Sequence, residues 1–234
     1  VDGNGNVTGD VAVSTKTISA FFFPEPVTDG HDGFYVPFTT GNPDNAALSD
    51  AYVQRVRADF SAWSATGTEL LTGTGTHRFS GGLALMNDIM GLLAPVKVTN
   101  TGQSEGGWSV QGLDTAGTVQ LGPTGVEVVA SGAQLATPDG VASTGDGCIV
   151  VYSEGGFGQE HVHATRLGYQ GNQVWGGPIA VCSANSNKDD AACWRFGNDG
   201  QVVAVWQDDR IGSGIYAQNI SSEGSTGPTA IADP

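Results

Sequence analysis

Basic side chains are scarce in this 234-residue chain: Lys and Arg total 9 against 24 Asp and Glu, a formal net charge of −15. A surface so acidic repels a phosphate backbone or an anionic membrane, which excludes nucleic acid as a partner. Such a surface suits work outside the cell in salt or with divalent cations. Long apolar runs are missing too, so no segment spans a bilayer and no membrane insertion is expected. Long Leu, Glu or Lys runs are also absent, which argues against a helical protein. Cysteine is limited to three residues with no C-x-x-C pair, so a sulfur-ligated metal has no supporting spacing. No G-x-S-x-G elbow, Walker loop or H-E-x-x-H occurs, so hydrolase, nucleotide and zincin readings lack motif support.

Glycine is abundant instead: 36 residues, about double the usual share. Together with plentiful Asn, Ser and Thr it punctuates short aliphatic clusters such as 148–152 and 202–206, the pattern of buried strands between turns. The chain begins at Val1 with neither Met nor a signal sequence, as expected of a processed product or a piece of a larger protein.

The clusters repeat. The last copy reads Asn198-Asp199-Gly200, an apolar run 201–206, the turn Gln207-Asp208-Asp209-Arg210, an alternating run 215–220 and a closing turn at Gly224. The copy before it has Gly145-Asp146-Gly147, the run 148–152, the turn 153–159, the run 161–167 and a close at Gly171. A third follows the same order from Gly91 to Gly117. Gly117, Gly171 and Gly224 are 54 and 53 residues apart, and Gly91, Gly147 and Gly200 are 56 and 53 apart, so two landmarks give one period. The first copy, from Asp32-Gly33, is read as stretched by about ten residues, its closing turn delayed to Gly67.

Each unit reads as four strands, and such sheets set radially are propeller blades. The expected fold is therefore all-β, a β-propeller of four to five four-stranded blades, either complete or a segment of a larger array. A β-sandwich is the alternative. The units fall at about 1–14 (partial), 15–75, 76–131, 132–183 and 184–234 of a single repeat-built domain.

The stretch 205–218, V-W-Q-D-D-R-I-G-S-G-I-Y-A-Q, resembles a W-x-D-x-R-x-G…I-Y-A-Q signature of propeller-like repeats in large secreted or cell-surface bacterial proteins. Tyr152 stands near the Trp position in the third unit, and Thr39 and Lys97 are placed there in the earlier ones. The resemblance implies the fold and an extracellular or cell-surface location, and carries over no catalytic residue.

Turns between second and third strands share one face of a propeller, which would gather Asp44, Asp50, Glu105, Glu154, Glu160, Asp208 and Asp209. Glu154, Glu160, Asp208, Asp209 and Arg210 are the candidate ligand-binding residues; an Asp and Arg in a tight turn equally serve to cap backbone N–H groups and pair with each other. His161 and His163 alternate on one strand and face one side. Asp2, Asn4, Asn6 and Asp10 place oxygens at calcium-loop spacing, which makes Ca²⁺ the one candidate cofactor. Cys182 and Cys193 flank a polar segment and are a candidate disulfide. The favoured function is a non-catalytic extracellular module that contacts other protein subunits or glycan within a secreted, surface or filament assembly, so that enzymatic activity is not expected. The alternative is a carbohydrate-active propeller enzyme that uses carboxylates on the face of Glu154 and Asp208.

Overall fold

A computed structural model describes residues 10–18, 24–41, 49–73, 76–86, 91–132, 134–196 and 200–227. Sixteen strands form four antiparallel sheets, one after another along the chain. Blade 1 holds β1 (Val27–Thr28), β2 (Phe34–Thr40), β3 (Asp50–Val56) and β4 (Thr68–Glu69). Blade 2 holds an inner strand divided into β5 (Thr76–Ser80) and β6 (Ala84–Leu85), then β7 (Leu92–Asn100), β8 (Gly106–Leu113) and β9 (Val126–Gly132). Blade 3 comprises β10 (Leu135–Ser143), β11 (Gly147–Gly155), β12 (Glu160–Gly168) and β13 (Ile179–Ser186). Blade 4 comprises β14 (Lys188–Phe196), β15 (Gln201–Asp208) and β16 (Gly214–Ile220) among the described residues. The arrangement is a four-bladed β-propeller, and the sandwich alternative is excluded by the sheet order.

Second strands are apolar through their middles because both faces are covered there. Alternate residues of β11 point to opposite sides: Cys148, Val150 and Tyr152 join a cluster with Leu93, Trp108 and Val110 of blade 2. Ile149 and Val151 join one with Val202, Ala204 and Trp206 of blade 4. A third cluster, around Tyr35, Val53, Leu92 and Leu113, joins blades 1 and 2. Each fully buried Leu or Val is worth roughly 1.5–3 kcal/mol, so the three wedges hold the four sheets side by side. Among the described residues no such cluster joins blade 4 to blade 1.

Strand register fixes which residues are equivalent. Phe34 faces Val56, Leu92 faces Leu113, Cys148 faces Leu167 and Val202 faces Ile220. Each of those four partners also bridges to the residue six later: Ala62, Val119, Gln173 and Thr226. The closing turn follows four residues after each, at Phe60, Gly117, Gly171 and Gly224, all with positive φ of 63° to 86°. The first unit is therefore not delayed to Gly67: its turn arrives on time with Phe60 in the left-handed place of glycine. The extra residues lie in the connection from β2 to β3. The same register places Gln201, not Gly200, level with Gly147 and Gly91, a one-residue slip at that landmark. It also places Phe38, rather than Thr39, level with Trp206.

That correction exposes a device the sequence reading missed. Phe38 stacks on Tyr52, Tyr152 on His163 and Trp206 on Tyr216, each a cross-strand ring pair with centroids 5.4–6.2 Å apart. A second device is a buried glutamine two residues before the third strand's last aliphatic. Gln54 Nε2 donates to the Ser64 carbonyl, Gln111 to that of Gly122 and Gln218 to that of Gly227. Each thereby ties the third strand to the turn that leaves it. In blade 3 the position is Thr165, whose buried hydroxyl reaches no partner among the described residues.

Candidate functional site

The inner strands are where the sheets lose regularity. Val27, Ala84, Ala142 and Trp194 are level, being paired with Tyr35, Leu93, Ile149 and Val203. Three residues earlier stand Pro24, Gly81, Asp139 and Ala191, and there the pairing breaks. The β10 register shifts between Pro138 and Gly140, leaving Asp139 out of the ladder. The β14 register shifts between Asp189 and Ala192, with Asp190 at a φ of 51°. In blade 2 the residues 81–83 part β5 from β6. A bulge frees a side chain from the strand's alternation and re-aims it, and here the breaks surround the propeller axis.

The result is a cavity of about 410 Å³ walled by segments of all four blades. It is lined by three carboxylates from three inner segments: Glu25, Asp139 and Asp190. A second hollow of about 260 Å³ continues from Asp139 and Asp190 towards Glu154, Glu160, Lys188 and Asp189 between blades 3 and 4. A third places Lys97 of β7 beside Asp139 and Asp190.

Asp139 is the chemically distinctive member. Its Oδ2 accepts one bond from the Ser153 N–H at 2.8 Å. Enclosure by protein drives its pKa up to about 7; the Ser153 bonds and the charge of Lys97 oppose this, and the negative charge of Asp190 adds to it. Lys97 is itself held below the usual lysine value by burial, against the pull of Asp139. A carboxyl group that keeps its proton near neutrality is a proton donor in waiting.

Of the acids expected from sequence, Glu154 and Glu160 line the hollow, and Asp208 and Asp209 do not. Asp208 is fully buried in the β15–β16 turn. Its Oδ1 accepts from Ser186 Oγ (2.6 Å) and the Arg210 N–H (3.0 Å); its Oδ2 accepts from Trp206 Nε1 (3.2 Å) and pairs with Arg210 Nη2 (2.7 Å). Lys188 Nζ stands 3.7 Å away. Burial alone would raise this carboxyl's pKa, but the bonds from Ser186, Arg210 and Trp206 and the charge of Lys188 hold it below the ordinary value. Arg210 in turn lies over the Tyr216 ring at 4.0 Å. Asp209 receives both the backbone N–H and the side-chain amide of Asn187. These residues build the turn. Glu154 occupies the position of Asp208 one blade earlier, but among the described residues it has only the His163 ring at 4.0 Å, an imidazole that burial holds below the usual histidine value, and it lines the hollow. Glu160 accepts from the Gly158 N–H of its own hairpin.

Cys148, Cys182 and Cys193 are all buried free thiols, so the expected disulfide is corrected: Cys182 lies on the outer strand of blade 3 and Cys193 on the inner strand of blade 4. Burial pushes the Cys193 thiol up to about 12 and also raises Cys148, which leaves both inert. His161 bonds Asn185 at 2.7 Å, and His163 is committed to Tyr152 and Glu154. Asp10 is exposed, and Asp2, Asn4, Asn6 and Asp44 lie outside the described residues. Among the described residues no three His, Cys, Asp or Glu side chains are grouped to hold a metal. Glu25, Asp139 and Asp190 were missed by sequence reasoning; the signal for the first two was a break in alternation beside proline or glycine, as in Pro24-Glu25-Pro26 and Pro138-Asp139-Gly140, and Asp190 carried none of that kind.

No protein-family model and no curated protein matches the chain. Solved structures do share its fold. The endo-arabinase of Bacteroides thetaiotaomicron superposes with a TM-score of 0.50 at 14% identity, over 94% of this chain and 84% of that one. A GH43 endo-arabinanase from Bacillus licheniformis gives 0.56 at 14%, over 92% and 76%. An exo-1,5-α-L-arabinanase from a bovine ruminal metagenomic library gives 0.50 at 12%, over 89% and 79%. Identities this low establish the propeller fold. The expectation of a non-catalytic module is corrected in that the solved propellers of this fold bear the names of arabinanases, which favours the carbohydrate-active alternative.

Proposed function

We propose that the protein is a carbohydrate-active propeller, a glycoside hydrolase that receives a polysaccharide in the axial cavity. The observation that supports this reading is the set Glu25, Asp139 and Asp190, drawn from three blades to one cavity, with Asp139 protonated up to about pH 7. Cleaving a glycosidic bond needs a proton for the leaving oxygen and a carboxylate for the opposite side of the sugar. Asp139 is the donor: its proton passes to the glycosidic oxygen as the bond from that oxygen to the anomeric carbon breaks. Glu25 belongs to blade 1, across the axis from blade 3, and takes the proton of the water that adds to the anomeric carbon. Burial holds the Asp139 pKa up, and the charge of Asp190 adds to it, which keeps the donor loaded. The acidic, lysine-poor surface fits a polymer met outside the cell.

Arabinan is the first polymer to offer, with xylan beside it, and the readout is release of reducing ends. The wild type is expected to cut at least one polymer. Asp139→Asn and Glu25→Gln are each expected to lose about 100-fold or more, and Asp190→Asn to move the alkaline limb of the pH profile downward. Absence of cleavage on a broad polysaccharide panel, or wild-type rates in all three variants, overturns the assignment.

A further inference from the structure

The axial cavity adjoins a second, apolar hollow. Its lower end shares Val27, Leu83, Val141, Cys193 and Trp194 with that hollow, which has about 280 Å³ and also reaches Thr28, Ser143 and Arg195, at the ends of the inner strands away from Glu154 and Glu160. The acids thus stand at one end of a passage and aliphatic side chains at the other. Trp194 lines both parts and is 55% exposed, although Trp108 and Trp206 are buried. Phe196, two residues further along β14 and on the same side by strand alternation, is 62% exposed. The two rings are spaced by about 6.6 Å of strand rise and make an aromatic strip leading out from the cavity. Exposed aromatic rings in a row lose free energy to water unless something covers them. A sugar ring presents C–H groups on its face and hydroxyls at its edge, which suits a flat ring beneath it and a polar rim around it.

We propose that Trp194 and Phe196 are stacking platforms for the sugars of a glycan chain that extends from the axial cavity into the apolar hollow beside it. This rests on the hydrolase reading, which supplies the occupant: the strip is continuous with the acidic cavity through Trp194. The experiment measures binding of oligosaccharides of increasing length, cut from whichever polymer the wild type degrades (arabinan if none is), by calorimetry and tryptophan fluorescence in the Asp139→Asn background. Trp194→Ala added to that background is expected to weaken the long oligosaccharides about tenfold and the shortest hardly at all. Trp194→Phe is expected to keep most of the affinity. Because Trp194 lies outside the buried clusters, unchanged melting curves will show both variants folded. If the wild type cleaves polymer while Trp194→Ala binds long oligosaccharides as tightly as its parent, the strip is refuted and the hydrolase reading stands. If the wild type neither cleaves nor binds any oligosaccharide, both fall together.

Discussion

Replacing Asp139 by asparagine removes a group that is ionised in the unfolded chain above about pH 4 but keeps its proton in the fold up to about pH 7. Between those values the native state holds the extra proton, so the cost of this group to stability grows as pH rises and reaches its full value once the folded pKa is passed. The shift from 3.8 to about 7, at about 1.36 kcal/mol per unit, sets an upper bound of roughly 4 kcal/mol on the cost of the ionised form. Linkage places roughly 2.5 kcal/mol of that between pH 5 and pH 8, less whatever water entering the cavity recovers. Asparagine fills the same space, can accept the Ser153 N–H and carries no charge. Urea unfolding of both proteins at the two pH values should therefore show the wild type losing about 2 kcal/mol more than Asp139→Asn, with the variant the more stable at pH 8. A group whose removal stabilises its scaffold is the pattern of a site held against folding energetics. Equal pH dependence in the two proteins would refute the enclosure argued for Asp139. A variant less stable at every pH would show the carboxyl to be structural.

Two further substitutions address the repeat. Asp208→Asn leaves Arg210 and Lys188 without their buried counter-charge and should cost about 3 kcal/mol in chemical denaturation, with the loss growing from acid pH towards neutrality because the folded pKa lies below the unfolded one. Gly117→Ala combines a positive φ with a Cβ set 2.8 Å from Trp63, whereas Gly122→Ala has a positive φ and open space; the first should cost about 3 kcal/mol and the second about 1 kcal/mol, read as melting shifts. Equal losses at Gly117 and Gly122 would show that Trp63 does not lock blade 1 against the turn of blade 2.

The fold was legible because its landmarks are local. A glycine four residues after an aliphatic strand end marks a left-handed turn, and Gly117, Gly171 and Gly224 repeat it with the same spacing of turn to strand. Phe60 concealed the first copy, since a bulky residue with positive φ carries no signal in sequence, and the unit was misread as stretched. The signature Trp206, Asp208 and Arg210 was conspicuous because its side chains satisfy one another within a single turn. The site was illegible for the opposite reason. Glu25, Asp139 and Asp190 are far apart in sequence, share no motif, and meet only because strand breaks in separate blades fall at one height on the axis.

A titration of the Asp and Glu side-chain carboxyl carbons by NMR, with and without an oligosaccharide cut from arabinan, bears most directly on the central claim. One carboxyl is expected to titrate near pH 7, to vanish from the Asp139→Asn spectrum and to move when the oligosaccharide is added. If every carboxyl titrates in the ordinary acidic range, or if the Asp139 signal ignores the oligosaccharide, the axial cavity is not a site of glycan cleavage.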